Sequence, residues 1–352
     1  MAEAVIWNAI SAEEIEHELA RRRTSGDRPP GAWACVVNVI VVTSEESAPK
    51  LARVVSDLSG RHPSRMILII SDPDEGEANL EVSLSTFCDI RRDESRVCAE
   101  QITIHAQGPP AEHLESLAGP LLIPDLPTFL WYPNATLPDP PSGMLSLAER
   151  LILDSGPAED HEAFLRAASD LCGAGLPAVA DLQWTALSPW RALVADLFTP
   201  LERAGELANI THMEVQHGPA GESQALLLAG WLASALGWRL EQTSRTDSGR
   251  KLSLSTPSGM VKVELSLHSS EIALSQISLR SEEFAFKVRA SRRGEYACAC
   301  TTVTRGEKVV GERTVHLCSS RVEALLSEEL CLPGRDLDYE AALHKTIEMF
   351  GP

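Results

Sequence analysis

Long apolar runs are missing from this sequence. Its two longest, residues 32–42 and 225–238, fall short of the roughly 20 residues that a helix needs to cross a bilayer. The first residues, MAEAVIWNAISAEEIEHELA, also lack a basic segment followed by an apolar core, which argues against a secretory signal. The sequence therefore predicts a protein that neither crosses a membrane nor binds to one.

Cysteine is sparse, with eight residues in a chain of 352. This density excludes the disulfide scaffold that stabilises many small secreted domains. Because no secretory signal is predicted either, we expect a cytoplasmic protein whose thiols are mostly free.

Basic residues are outnumbered, with 31 Lys and Arg against 50 Asp and Glu and a net charge of −19. A surface of this sign repels the phosphates of nucleic acids and of anionic lipids. We therefore expect neither nucleic acid nor a membrane surface as a partner.

The sequence motifs of common active sites are also missing. The sequence contains no GxGxxG, GxxxxGKS, GxxxxGKT, GxSxG, HExxH or CxxC. The first predicted strand is followed by SEESAPK, whose carboxylates would repel a phosphate group rather than hold it. We predict a protein that is not an enzyme, with no catalytic residues, no bound cofactor and no metal site.

Apolar patterns in the first part of the chain predict an α/β domain. A β-branched run at residues 32–43, helical spacing at 48–60 and a second apolar run at 65–71 are typical of a parallel strand–helix–strand unit. We predict that residues 1–158 form an N-terminal α/β domain with a largely parallel or mixed sheet.

The pattern changes in the second part. Short segments of alternating polar and apolar residues dominate from 238 to 317, and helical segments precede and follow them. We predict that residues 159–352 form a C-terminal α+β domain with an antiparallel sheet.

A predicted hairpin near Lys308 carries a group of thiols and an imidazole. If the turn is centred there, Cys298 lies opposite Cys318, and Cys300 lies opposite His316 on the same face. Such a group can form a redox pair or bind zinc, whereas small half-buried side chains without a chemical role are the alternative. We keep Cys298, Cys300 and Cys318 as candidate redox residues and predict no metal.

Four segments, in order and spread over both halves, carry a resemblance. They are His62–Arg65 (HPSR), residues 126–133 (LPTFLWYP), residues 181–191 (DLQWTALSPWR) and residues 225–238 (ALLLAGWLASALGW). Together they resemble the OpcA family of glucose-6-phosphate dehydrogenase assembly proteins. Ala186 departs from the family pattern, which has a basic residue at that position.

The resemblance implies a function. OpcA-like proteins bind oligomeric glucose-6-phosphate dehydrogenase and promote its active form, which supports the oxidative pentose phosphate pathway and NADPH production. It implies a non-catalytic assembly factor and allosteric activator, with thioredoxin-linked redox regulation as a further property. Two alternatives stay open: a sugar-phosphate enzyme whose active site follows no motif, and an interaction module for another oligomeric enzyme.

Two sets of residues within these segments are candidates for sites. Tryptophan and arginine dominate binding hot spots, because they bury a large area with little loss of entropy. The candidate partner-binding residues are Trp131, Tyr132, Trp184, Pro189, Trp190 and Arg191, and packing in the core is the alternative for the tryptophans. His62 and Arg65 either bind an anion or form a turn whose backbone Pro63 fixes, and we favour the turn.

Overall fold

A computed structural model describes residues 6–8, 11–24, 32–33, 35–59, 62–73, 78–90, 96–134, 142–174, 177–246, 248–293, 296–317, 320–332 and 334–351. The chain forms two compact units, and neither is continuous in sequence. The first unit comprises Met1–Asp154, Ala174–Ala180 and Arg321–Arg335. The second comprises Ser155–Gly173, Asp181–Ser320 and Asp336–Pro352. The boundary expected between residues 158 and 159 stays a prediction.

The helices and strands are numbered in chain order. The helices are α1 (Ala12–Thr24), α2 (Ala48–Ser59), α3 (Leu114–Ala118), α4 (Ser142–Ser146), α5 (His161–Gly173), α6 (Leu182–Ala186), α7 (Ser188–Leu197), α8 (Leu201–Ala204), α9 (Glu222–Ala235), α10 (Val322–Glu329) and α11 (Leu337–Phe350). The strands are β1 (Ile6–Asn8), β2 (Ala32–Trp33), β3 (Val37–Thr43), β4 (Ser64–Asp72), β5 (Asn79–Ile90), β6 (Arg96–Gln107), β7 (Thr128–Tyr132), β8 (Arg150–Leu153), β9 (Ala178–Asp181), β10 (His212–His217), β11 (Arg239–Thr246), β12 (Gly249–Thr256), β13 (Gly259–Leu267), β14 (Leu274–Arg280), β15 (Phe284–Arg293), β16 (Tyr296–Arg305) and β17 (Lys308–His316).

The first unit is built on a mixed sheet that is parallel at its centre. Among the described residues its strand order is β1-β5-β6-β4-β3-β7-β8-β9, and β2 pairs with β6. Strands β3, β4, β6, β7 and β8 pair in parallel, whereas β5 runs antiparallel to β6 and β1. Every residue of β3, β7 and β8 is buried, which explains their nearly continuous apolar sequences. The predicted α/β class is confirmed.

The second unit contains a sheet that is almost wholly antiparallel. Among the described residues its order is β11-β12-β13-β10-β14-β15-β16-β17. Only the pair of β10 with β13 is parallel within this order. The predicted antiparallel sheet of the second domain is therefore confirmed.

One face of this second sheet packs against helices, with α9 against β10 and β13 and α7 against β15 and β16. Helix α9 is buried along most of its length and crosses α11 closely. A Cβ atom at Gly230 would lie 2.5 Å from the carbonyl oxygen of Ala342, so only glycine permits this approach. No described helix is long and apolar enough to cross a membrane.

Candidate functional site

The segment DLQWTALSPWR connects the end of β9 with helices α6 and α7. The Asp181 carboxylate accepts a hydrogen bond from the backbone N–H of Gln183 at 2.9 Å and therefore caps α6. Helix α7 begins at Ser188, and Pro189 lies in its first turn, where proline has no hydrogen bond to lose. This local sequence places Trp184 and Arg191 on two consecutive short helices.

Trp184 lies at the centre of a polar and aromatic cluster. Its indole Nε1 donates a hydrogen bond to the Asp336 carboxylate at 2.7 Å, and its ring centroid lies 5.7 Å from that of Tyr339. Asp336 in turn caps α11 by accepting from the backbone N–H of Tyr339 at 3.0 Å. The Arg191 guanidinium stacks over the Trp184 ring, 3.6 Å from its centroid, in a cation–π contact. The cluster fixes α6 and α7 to the start of α11.

The predicted contact residues of this segment differ in their accessibility. Trp184 and Trp190 are buried, with 3% and 4% of their surface exposed, whereas Pro189 and Arg191 are half-buried. Burial favours packing as the role of both tryptophans, the alternative that the sequence left open. Partner binding by this segment stays a prediction.

Trp131 and Tyr132 lie in β7, in the interior of the first unit. Their exposed fractions are 1% and 6%. The Asn38 side chain holds the turn before β7, because it donates to the Ile123 carbonyl at 3.0 Å and accepts from the Ile123 N–H at 3.0 Å. The Trp131 indole N–H has no hydrogen-bond partner among the described residues. Both side chains fill the core in this structure, and a partner contact through them stays a prediction.

Arg65 belongs to a buried ionic network in the first unit. It is 2% exposed, and its Nη2 lies 2.8 Å from Oε2 of Glu100. It also pairs with Glu16 and donates to the Leu121 carbonyl at 2.9 Å. Arg23 binds the same Glu100 carboxylate at 2.6 Å. An external anion at Arg65 would meet two carboxylates, so the geometry favours a structural role.

The residues before Arg65 are held by hydrogen bonds, and the turn expected there stays a prediction. The Pro63 carbonyl accepts a hydrogen bond from the Val36 N–H at 2.9 Å, and the His62 N–H donates to the Leu58 carbonyl at 2.8 Å. His62 Nε2 lies 2.5 Å from the Ser327 hydroxyl. These contacts hold the entry into β4 in place.

The network sets the ionisation of Glu100. Burial acts to raise the pKa of this carboxyl group, but the hydrogen bonds from Arg23 and Arg65 outweigh burial, and the pKa lies below its ordinary value. Glu100 is therefore charged at neutral pH, as the two arginines require.

The cysteine hairpin has a different register from the predicted one. Cys298 lies opposite His316 rather than Cys318, and Cys300 lies opposite Thr314. The correction has two local causes. Arg305 pairs with Lys308, so the turn is centred on Gly306 and the following residue, where Gly306 supplies a φ of 57°. A register shift between Val303 and Thr304 then moves the pairing by one residue.

The side chains of this hairpin make weak contacts. Cys298 Sγ lies 3.6 Å from His316 Nδ1, and Cys300 Sγ lies 3.6 Å from a carboxylate oxygen of Glu312. Cys318 lies outside the described residues. Among the residues that are described, no group of three or more His, Cys, Asp or Glu side chains is arranged to hold a metal ion. A redox role for the cysteines stays a prediction.

Two family models match consecutive parts of the chain. Residues 55–170 match a model described as the N-terminal domain of a glucose-6-phosphate dehydrogenase subunit. Residues 177–343 match a model described as the C-terminal domain of the same subunit. Both models are of OpcA, and together they cover well over half of the chain. The chain belongs to the OpcA family.

Named members of the OpcA family are similar over part of their length. An OxPP cycle protein OpcA of Nostoc punctiforme is 32% identical over 195 residues, which are 53% of this chain and 41% of the relative. The corresponding protein of Synechocystis is 28% identical over 191 residues, which are 53% of this chain and 39% of the relative. The matched region thus spans less than half the length of these curated relatives.

A solved structure is similar in fold to this OpcA-family chain. A mutant of KijD10, a 3-ketoreductase from Actinomadura kijaniata in complex with TDP-benzene and NADP, has a TM-score of 0.50 at 11% sequence identity. The match covers 89% of this chain and 95% of the other. At this identity the likeness concerns the fold alone.

The second unit of this OpcA-family chain also has a surface that sequence reasoning missed. The alternate side chains of β10 to β17 that point away from the helices form what we call the outer face. Its basic members among the described residues are Arg239, Lys251, Lys262, Arg280, Lys287 and Arg289, and its acidic members are Glu214, Glu241, Glu264 and Glu312. The alternation of charged and apolar residues in segments such as VKVEL was the available signal.

Proposed function

We propose that this chain is a non-catalytic assembly factor and allosteric activator of glucose-6-phosphate dehydrogenase. In this role it acts in the cytoplasm and supports NADPH production by the oxidative pentose phosphate pathway. One observation carries the proposal: two consecutive family models, both described by this dehydrogenase, match residues 55–170 and 177–343.

The use of the shared motif residues supports a role without catalysis. Trp184 and Arg191 contact each other, and they also bind Asp336 and Ser188 of the same chain. Arg65 is enclosed by carboxylates of its own chain. Residues used in this way build a stable surface for a partner instead of holding a substrate.

The test uses the purified full chain and the glucose-6-phosphate dehydrogenase of the same organism. We expect light scattering to show a complex of greater mass than either protein, and the dehydrogenase to become more active in it. The chain alone, given glucose 6-phosphate and NADP, should form no NADPH. Absence of a complex, or NADPH formation by the chain alone, would show that the proposal is wrong.

We propose further that the segment 181–191 contributes to the partner contact. The half-buried Pro189 and Arg191 are its accessible members, whereas the buried Trp184 and Trp190 set the position of the helices that carry them. Trp131 and Tyr132 act in the same indirect way on β7. Melting temperature and partner affinity, measured together for Trp131→Ala and Trp190→Ala, separate a packing role from a contact role.

Redox control through Cys298, Cys300 and Cys318, with thioredoxin as the reductant, completes the proposal. Cys298 is buried and Cys300 is half-buried, and both are free thiols. Mass spectrometry should detect fewer free thiols after mild oxidation and their recovery with reduced thioredoxin. An unchanged thiol count, or full redox response in Cys298→Ser, argues against these residues.

A further inference from the structure

We propose that the outer face of the second sheet is the surface on which this chain docks an acidic face of its partner protein. The assignment rests on the proposed function, in which that partner is glucose-6-phosphate dehydrogenase. Three features of the described residues carry it: an excess of basic side chains, their lack of internal partners, and the size of the face.

The charge of the outer face is opposite to that of the chain. The chain has a net charge of −19, yet the described residues of this face include six basic and four acidic side chains. Such a local reversal concentrates positive potential where the rest of the surface is negative. A complementary partner surface is therefore acidic.

Most of these basic side chains have no ionic partner among the described residues. Lys251 pairs with Glu264 at 3.2 Å, and Glu214 accepts a hydrogen bond from the side chain of Gln216 at 2.7 Å. The other five, Arg239, Lys262, Arg280, Lys287 and Arg289, form no salt bridge with any carboxylate that the structure describes.

The unpaired cations are also close together. Lys262 in β13 and Arg280 in β14 both lie opposite His212 of the intervening β10, on the two sides of this residue. They line a depression of about 650 Å³ together with Glu214, Lys251 and Ser278. Lys262 and Arg280 are two strand spacings apart, ~10 Å, so carboxylates of a partner in this depression could pair with both of them.

The face is large enough for a stable interface. Eight strands at a spacing of about 4.8 Å span ~34 Å, and seven residues of a strand extend ~23 Å, which gives roughly 800 Å². This area is about what each partner contributes to a standard protein–protein interface.

Other occupants fit the face less well. A second copy of this chain would bring the same cations against them in a two-fold contact. A nucleic acid carries a phosphate at every nucleotide and would be repelled by the acidic remainder of the chain. Mixed charges with a basic excess match the carboxylate-rich surface of a folded protein.

The decisive variant is Lys262→Glu/Arg280→Glu, compared with Lys50→Glu/Arg53→Glu, which reverses two exposed basic residues on α2. Both change the net charge equally. In binding assays with the purified dehydrogenase, we expect the outer-face variant to weaken affinity at least tenfold, about 1.4 kcal/mol, and the control to stay within about twofold of wild type. Added salt should weaken wild-type binding much more than binding of the outer-face variant.

The outcomes separate the two proposals. If wild-type chain does not bind the dehydrogenase, the proposed function is wrong and the surface assignment falls with it. If wild type binds and both variants bind equally well, or equally poorly, only the outer-face assignment is wrong. A wild-type homodimer that the outer-face variant dissociates would identify a second copy as the occupant and overturn the proposal.

A measurement on the wild-type complex guards against misfolding of the variants. Zero-length coupling of amines to carboxylates, followed by mass spectrometry, should link Lys262 or Lys287 to Asp or Glu of the dehydrogenase. Lys50, on α2 of the first unit, should remain unlinked. Links confined to Lys50 would contradict the assignment.

Discussion

Arg65 in the first unit and Arg280 in the second carry the same guanidinium group in opposite surroundings. Arg65 is buried and bound to Glu16 and Glu100, whereas Arg280 is exposed and forms no salt bridge with a described carboxylate. A buried charge costs several kcal/mol unless its own chain pairs it, while an exposed charge is hydrated and can be paired later by another molecule. Burial therefore separates charges that serve the fold from charges that are available to a partner.

The largest expected effect is on the buried side of this comparison. Glu100→Ala leaves Arg23 and Arg65 without their shared carboxylate, and we expect the free energy of unfolding to fall by about 3–5 kcal/mol. The control is Glu264→Ala, which removes the exposed partner of Lys251 and should cost less than about 1 kcal/mol. Urea denaturation measures both, and equal losses would remove the distinction between the two surroundings.

Part of the same stabilisation should be lost in acid. Because the pKa of Glu100 is lower in the folded chain than in the unfolded one, its contribution is complete above the unfolded value of about 4.3 and is lost as pH falls through the folded value. Stability measured below about pH 4.3 should thus fall more steeply in wild type than in Glu100→Gln. Parallel curves for the two proteins would count against a lowered pKa.

A smaller effect tests whether a buried polar contact in the second unit also stabilises the fold. Trp184→Phe keeps an aromatic ring but removes the hydrogen bond to Asp336, and we expect a loss of about 1.5–3 kcal/mol. Trp131→Phe is the matched control, because its buried indole N–H has no partner among the described residues. Thermal or urea unfolding should show the smaller loss for Trp131→Phe.

The smallest effect is expected on the outer face. Lys262→Gln removes an exposed charge that has no ionic partner in the described part of the chain, so the free energy of unfolding should change by less than about 0.5 kcal/mol. A larger loss of stability would mean that Lys262 serves the fold, and the contrast with Arg65 would fail.

Periodicity along the chain determined the fold class. The nearly continuous apolar sequences of β3 and β4 predicted a parallel strand–helix–strand unit, and the alternation in β12 and β13 predicted an antiparallel sheet. These patterns are local, because the side-chain direction in a strand depends only on position. The sequence by itself also supported the family, through segments such as DLQWTALSPWR that the family models later covered.

Only the tertiary structure decided which residues that are distant in sequence lie next to each other. Insertion of β10 between β13 and β14 brings Lys262 and Arg280 to the two sides of His212, and no local pattern specifies strand order. The tight turn at Gly306 and the register shift between Val303 and Thr304 together place Cys298 opposite His316, because turn geometry and bulges set strand register. Likewise, Arg65 meets Glu16 and Glu100 only after α1 and β6 have packed beside β4, so its pairing could not be read from HPSR.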